Sequence, residues 1–258
     1  MTLWAGIPLV SCSIFAILAV VVLRQDGRRV NLVFARFLIA SSVWSFTSFM
    51  LHLNVYPQYA LLWNEILVAA LVWTVVSYYH FVRAYDNRPG GVGVYLGYGS
   101  VFTILALSLS GHIIKYAFVI NGVLYHNLGA SLYIVGGISA VFLISATWML
   151  VRRYSHSTDA IDRNRTMYLV IGSVVVIVSS YVTNLTPAIA GLSIEHVGNM
   201  INALIIAYAI TKYQLLNIRL VARKVLAYGL LAGCLGGIFA GVLFLEKVSW
   251  REYISAIS

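Results

Sequence analysis

The sequence predicts an all-α fold: a polytopic transmembrane helical bundle of seven spans plus an eighth, with the N-terminus outside. Three observations predict it. Of 258 residues, 61% are hydrophobic and only 10% are charged, against about 25% charged in soluble domains. Apolar runs near the roughly 20 residues needed to cross a hydrocarbon core recur along the whole chain. Lys and Arg gather in alternate connecting loops. This composition excludes a soluble globular enzyme, a disordered tail and a nucleic-acid-binding module. The net charge of +9 fits anionic lipid better than DNA. Cys12 and Cys234 each lie in an apolar run and behave as small hydrophobes. They form neither a disulfide framework nor a zinc site, and no cofactor is expected.

The spans fall at about 3–23, 30–53, 61–83, 92–111, 129–151, 165–186, 197–212 and 225–245. Helix is required, because an open strand edge in lipid leaves peptide groups unsatisfied. A barrel needs period-two alternation, and the run Ile14-Phe15-Ala16-Ile17-Leu18-Ala19-Val20 has none. Gly90, Gly91, Gly93, Gly97 and Gly99 at the start of span four resemble a nucleotide loop only by their glycines; close helix packing explains them better. The loop at 112–128 holds Asn121-Gly122 between two β-prone runs. That dipeptide supplies the positive φ a tight turn needs, so a small extracellular hairpin is expected over about 117–126. Residues 1–212 thus form the bundle, 213–224 a cytoplasmic connector and 246–258 a tail after span eight.

Sidedness follows from charge. The first, third and fifth loops and the segment after span seven hold 13 of the 17 basic residues. The intervening loops hold only Lys115, with Lys247 and Arg251 beyond span eight. The basic side is therefore cytoplasmic. Arg24, Arg28 and Arg29 follow the first apolar run rather than precede it, so span one reads as a retained anchor.

Ionisable groups inside spans are costly and mark functional positions by default. Glu65 lies about one turn inside the outer end of span three, where it meets water or His52. Arg36 lies about two turns inside the inner end of span two, within snorkelling reach of the headgroups. Trp44 and Trp63 lie in the outer halves of spans two and three, and Trp73 near the middle of span three. Asn184 ends span six; Glu195, His196 and Asn199 begin span seven. Brought together, these would line an aromatic pocket open to the outside. The same residues also fit an interfacial aromatic belt with ordinary helix capping. Asn202, one turn deeper, suits a bond between helices. The six histidines lack the spacing of a metal site, and none sits in a phosphoacceptor box.

Residues 212–224 put Leu215, Leu216, Ile218, Leu220 and Val221 beside Arg219 and Arg223, which share a helix face. Such a helix lies on the inner leaflet and is placed to relay movement of span seven, with Asn202 and Tyr213 above it. Gly229, Gly233, Gly237 and Gly241 recur every four residues in span eight and leave a smooth stripe for another helix, in this chain or in a homodimer.

The run Gly198-Asn199-Met200-Ile201-Asn202 through Tyr213-Gln214-Leu215-Leu216-Asn217-Ile218-Arg219-Leu220, with Tyr79-His80-Phe81-Val82-Arg83-Ala84-Tyr85 closing span three, resembles the N-terminal seven-transmembrane sensor region of bacterial sensor histidine kinases. The resemblance covers roughly 5–225. It implies a module in the bacterial inner membrane that receives a small or lipid-like ligand and signals to a cytoplasmic kinase or output domain. No phosphoacceptor box and no ATP-binding region stand in these residues, so the module itself is expected not to be an enzyme. The alternatives are a small transporter or channel subunit, which would need a polar track across the bundle, and a membrane transferase, which would need acids and histidines clustered at one face.

Overall fold

The computed structural model describes residues 3–24, 29–88, 90–120, 123–127, 131–185 and 194–213. Seven helices follow one another: α1 (Leu3–Leu23), α2 (Arg29–Leu53), α3 (Ala60–Tyr85), α4 (Val92–Leu109), α5 (Ser131–His156), α6 (Ala160–Leu185) and α7 (Ile194–Tyr213). Two strands, β1 (Tyr116–Ile120) and β2 (Val123–Asn127), stand between α4 and α5. The connector with Arg219 and Arg223, span eight with Gly229, Gly233, Gly237 and Gly241, and the tail lie outside the described residues, as do the side chains of Asn184 and Tyr213.

Five of these helices, α1 to α5, are long and apolar enough to cross a bilayer. The helix α6 opens with Asp162, Arg163 and Arg165, so its apolar part starts only at its second turn. Helices α5 and α6 run on past the apolar stretches at 129–151 and 165–186. Their charged turns stay helical because, as shown below, their side chains bind one another.

Helix ends obey local chemistry. Asn87 (φ 58°) and Gly111 (φ 76°) close α3 and α4 in the left-handed region. In each case the following amide donates five residues back, Arg88 N to Arg83 O at 2.8 Å and His112 N to Leu107 O at 3.0 Å, which satisfies carbonyls left over at a helix end. Asp159 caps α6, its carboxylate accepting from Ile161 N at 3.0 Å and Asp162 N at 3.3 Å. The strands pair antiparallel with Ile120 opposite Val123, flanking Asn121-Gly122.

The short links make neighbouring helices antiparallel. One end of the bundle carries the hairpin; the other carries the basic loops. Helix α3 packs against α2, α4, α5 and β1; α7 packs closely on α6 and also reaches α1 and α2. The larger core gathers Phe15, Phe34, Phe37, Tyr78, Phe81, Leu150, Leu169 and Ile206 from α1, α2, α3, α5, α6 and α7. A second core joins Val68, Ala69, Val72 and Val76 of α3 to Ile104 of α4, Ile113, Ile114 and Val135. The glycines of α4 serve packing: a Cβ on Gly97 would meet Val76 Cγ1 at 2.8 Å, and one on Gly93 would meet Tyr79 Oη at 2.7 Å.

Candidate functional site

Helix α2 carries Ser41, Ser45, Ser48 and His52 at helical spacing on one face, and all four are buried. Two of them join α7. Ser45 Oγ and His196 Nδ1 share a hydrogen bond of 3.0 Å, and Asn199 Nδ2 donates to Ser41 Oγ at 3.1 Å. The Trp44 indole lies on the His196 ring, centroids 4.1 Å apart and planes 30° from parallel. Helix α1 completes the seam: Ser42 Oγ donates to Cys12 O at 3.3 Å, and Ser11 Oγ points to Met200 Sδ at 3.9 Å. His196 and Asn199 are 1% and 3% exposed. Unpaired polar groups at this depth are costly, so these bonds fix α7 against α2.

The opposite side of α7 is joined by shape. A Cβ on Gly198 would collide with Ser179 of α6, and one on Gly172 of α6 would collide with Asn202. These glycines let the two backbones approach. Asn202 therefore packs on Gly172, and its Oδ1 has no hydrogen-bond partner among the described residues.

The other sequence candidates divide. Trp63 packs edge-on against Phe46 of α2, centroids 6.2 Å apart. Glu65 lies about 200° further round α3, in line with Val68, Ala69 and Val72 of the second core. It is not paired with His52, whose Nδ1 bonds Ser48 O at 2.8 Å instead. Trp73 stands ten residues beyond Trp63, about 15 Å along the axis. Glu195 precedes His196 at the head of α7 and is half-buried. Trp44 and His196 meet ring to ring, and His196 and Asn199 bond the same face of α2, while Glu65 stands in line with the second core of α3. Arg36 is exposed, on the outer surface of the bundle, as a snorkelling side chain would be.

Sequence reasoning missed the serine stripe and a second cluster at the basic end. Arg153 of α5 donates to both oxygens of Asp162 of α6, Nη2 to Oδ1 at 2.9 Å and Nε to Oδ2 at 3.1 Å. Its Nη1 donates to Tyr85 O at 2.9 Å, and its guanidinium lies 4.4 Å from the Tyr85 ring centroid. Tyr85 Oη donates to Asp162 Oδ1 at 3.2 Å and bonds Thr166 Oγ1 at 2.9 Å. Ser157 Oγ adds a bond to Asp162 Oδ2 at 3.1 Å. Burial alone would raise the Asp162 carboxyl, but the Arg153 bonds and charge, with Ser157 and Tyr85, outweigh it and hold it below the ordinary 3.8. This clamp joins α3, α5 and α6.

The helices, their order and this seam can be set against known families. The model of the N-terminal 7TM region of histidine kinase matches residues 7–219. The chain belongs to this family. The match makes it a multi-pass membrane protein and covers the 7TM region of a histidine kinase, not a catalytic kinase domain. No curated protein matches the chain. The stretch of this 7TM region that carries Gly198, Asn199 and Asn202 is the part of α7 bonded to α2 on one side and fitted to α6 on the other.

Proposed function

We propose that the chain is the membrane sensor module of a histidine-kinase-type signalling system in a bacterial inner membrane. Seven spans cross with the hairpin end outside. A small or lipid-like ligand acts at the outer side, and the signal passes to a cytoplasmic kinase or output domain. The observation that carries this reading is the unequal attachment of α7. Glycine fitting makes α6 and α7 one unit. Its hold on α2 rests on two buried polar bonds, Ser41–Asn199 and Ser45–His196, and on the Trp44–His196 ring contact. The foot of α6 is pinned by the Arg153–Asp162–Tyr85 clamp.

A ligand that competes for His196 or Asn199, or slides beside Trp44, favours a state in which these bonds are broken. It shifts the equilibrium only by its difference in affinity for the two states. The α6–α7 pair then turns about the clamp, and Tyr213, Arg219 and Arg223 carry the displacement along the inner leaflet. The test is the full-length kinase in vesicles, with autophosphorylation as readout. Ser41→Ala, Ser45→Ala and Asn199→Ala each loosen the seam and should shift basal output in the same direction. Arg36→Ala, on the outer surface of the bundle, should leave it unchanged. Basal output equal to wild type in all three seam variants refutes the proposal.

A further inference from the structure

We propose that Glu65 forms a second binding site, separate from the α2–α7 seam, for an ammonium group carried on an apolar molecule. Glu65 precedes Val68, Ala69, Val72 and Val76 on one face of α3, and these build the second core with Ile104, Ile113 and Ile114. The carboxylate therefore caps an apolar core at the hairpin end. The residue is only 7% exposed. Its backbone carbonyl takes a bond from Ser108 Oγ at 3.5 Å, but its side chain has neither hydrogen-bond nor ion-pair partner among the described residues.

A carboxylate in such surroundings needs a counter-charge. Among the described residues no basic group forms an ion pair with it. The segments 54–59 and 110–130 contain one Lys or Arg, Lys115, together with His112 and His126; Lys115 and His112 are exposed, and His112 bonds Ser110 Oγ at 2.9 Å. A divalent cation demands several oxygen or nitrogen ligands, and no group of three His, Cys, Asp or Glu stands together among the described residues. An ammonium needs only one carboxylate and apolar walls. The way in is sideways from the bilayer. Leu107 and Leu109 of α4 and Tyr133 and Ile134 of α5 are exposed at this level, α4 touches α5 only sparsely, and a Cβ on Gly136 or Gly137 would meet nothing within 4 Å. The tail of an amphiphile stays in lipid while its head reaches Glu65.

The site does not depend on the sensor reading and is tested without kinase. The full chain in zwitterionic nanodiscs is titrated calorimetrically with decylammonium, decanol and decyl sulfate, each against empty discs. Decylammonium should bind saturably above the empty-disc signal, and more tightly than either control. Glu65→Gln, which keeps shape but not charge, should weaken it by about tenfold or more. Glu65→Asp, which keeps the charge, should bind more tightly than Glu65→Gln. Equal affinity in wild type and Glu65→Gln, decanol binding as tightly as decylammonium, or no saturable binding would each overturn the proposal. Equal affinity would mean that a proton, rather than a ligand, neutralises Glu65.

Discussion

Replacing Arg153 with Ala should destabilise the bundle by about 2–3 kcal/mol. The figure is bracketed by two limits: exposed ion pairs contribute about 0–1 kcal/mol, while breaking a fully buried pair costs about 3–5 kcal/mol. The Arg153 and Asp162 side chains are 22% and 19% exposed, so the pair sits between those limits. Its two-pronged geometry, the added bond to Tyr85 O and the ring contact move it upward. Truncation leaves both the Asp162 carboxylate and a main-chain carbonyl short of a donor. Reversible unfolding in mixed SDS micelles measures the loss, and a double-mutant cycle with Asp162→Ala isolates the pair. The coupling should be about 1–2 kcal/mol. A loss under about 0.5 kcal/mol, or strictly additive single effects, would refute the claim that this clamp holds α6 to α3 and α5.

Acid should weaken the same clamp. The Asp162 carboxyl titrates below 3.8 in the folded chain, so its stabilisation is complete above that value and is lost as pH falls through the lower folded value. Asp162→Asn should flatten this part of the acid unfolding curve, and an unchanged curve would contradict the assignment. Two glycine substitutions should have opposite signs. Gly198→Ala collides with Ser179 and should cost about 1–3 kcal/mol, whereas Gly136→Ala meets open space and should gain about 0.4–1 kcal/mol. Unfolding in the same micelles ranks them. Tyr85→Phe removes the hydroxyl shared with Asp162 and Thr166 and should cost about 0.5–1.5 kcal/mol, read as a lower SDS midpoint.

The bundle was legible because crossing a bilayer imposes a length and a polarity on each run, and α1 to α5 meet both conditions. The hairpin was legible because Asn121-Gly122 separates two β-prone runs. The division of the polar residues was harder to see. Trp63 and Glu65 are near neighbours in sequence, but residues two apart on a helix point about 200° from each other. The serine stripe on α2 is visible as a spacing, but serine is common enough in membrane helices that only Asn199 and His196 opposite give it meaning. The clamp was hidden for a different reason. Arg153 reads as one more charge in a basic loop, and its partners come from Asp162 beyond a turn and from Tyr85 at the end of α3. Only the packing of α3 against α5 brings them together.

Sensing from the outer side requires the hairpin end of the bundle to meet the outer face of the membrane and the basic end the inner face. In a chain with Cys12 and Cys234 replaced by Ser, single cysteines at exposed Arg88 and Arg152, and at exposed Val55 and Tyr133, can be reacted with an impermeant maleimide in intact cells. The account predicts labelling of positions 55 and 133 from outside, and of 88 and 152 only after the membrane is opened. Positions 88 and 55 labelling from the same side would contradict it.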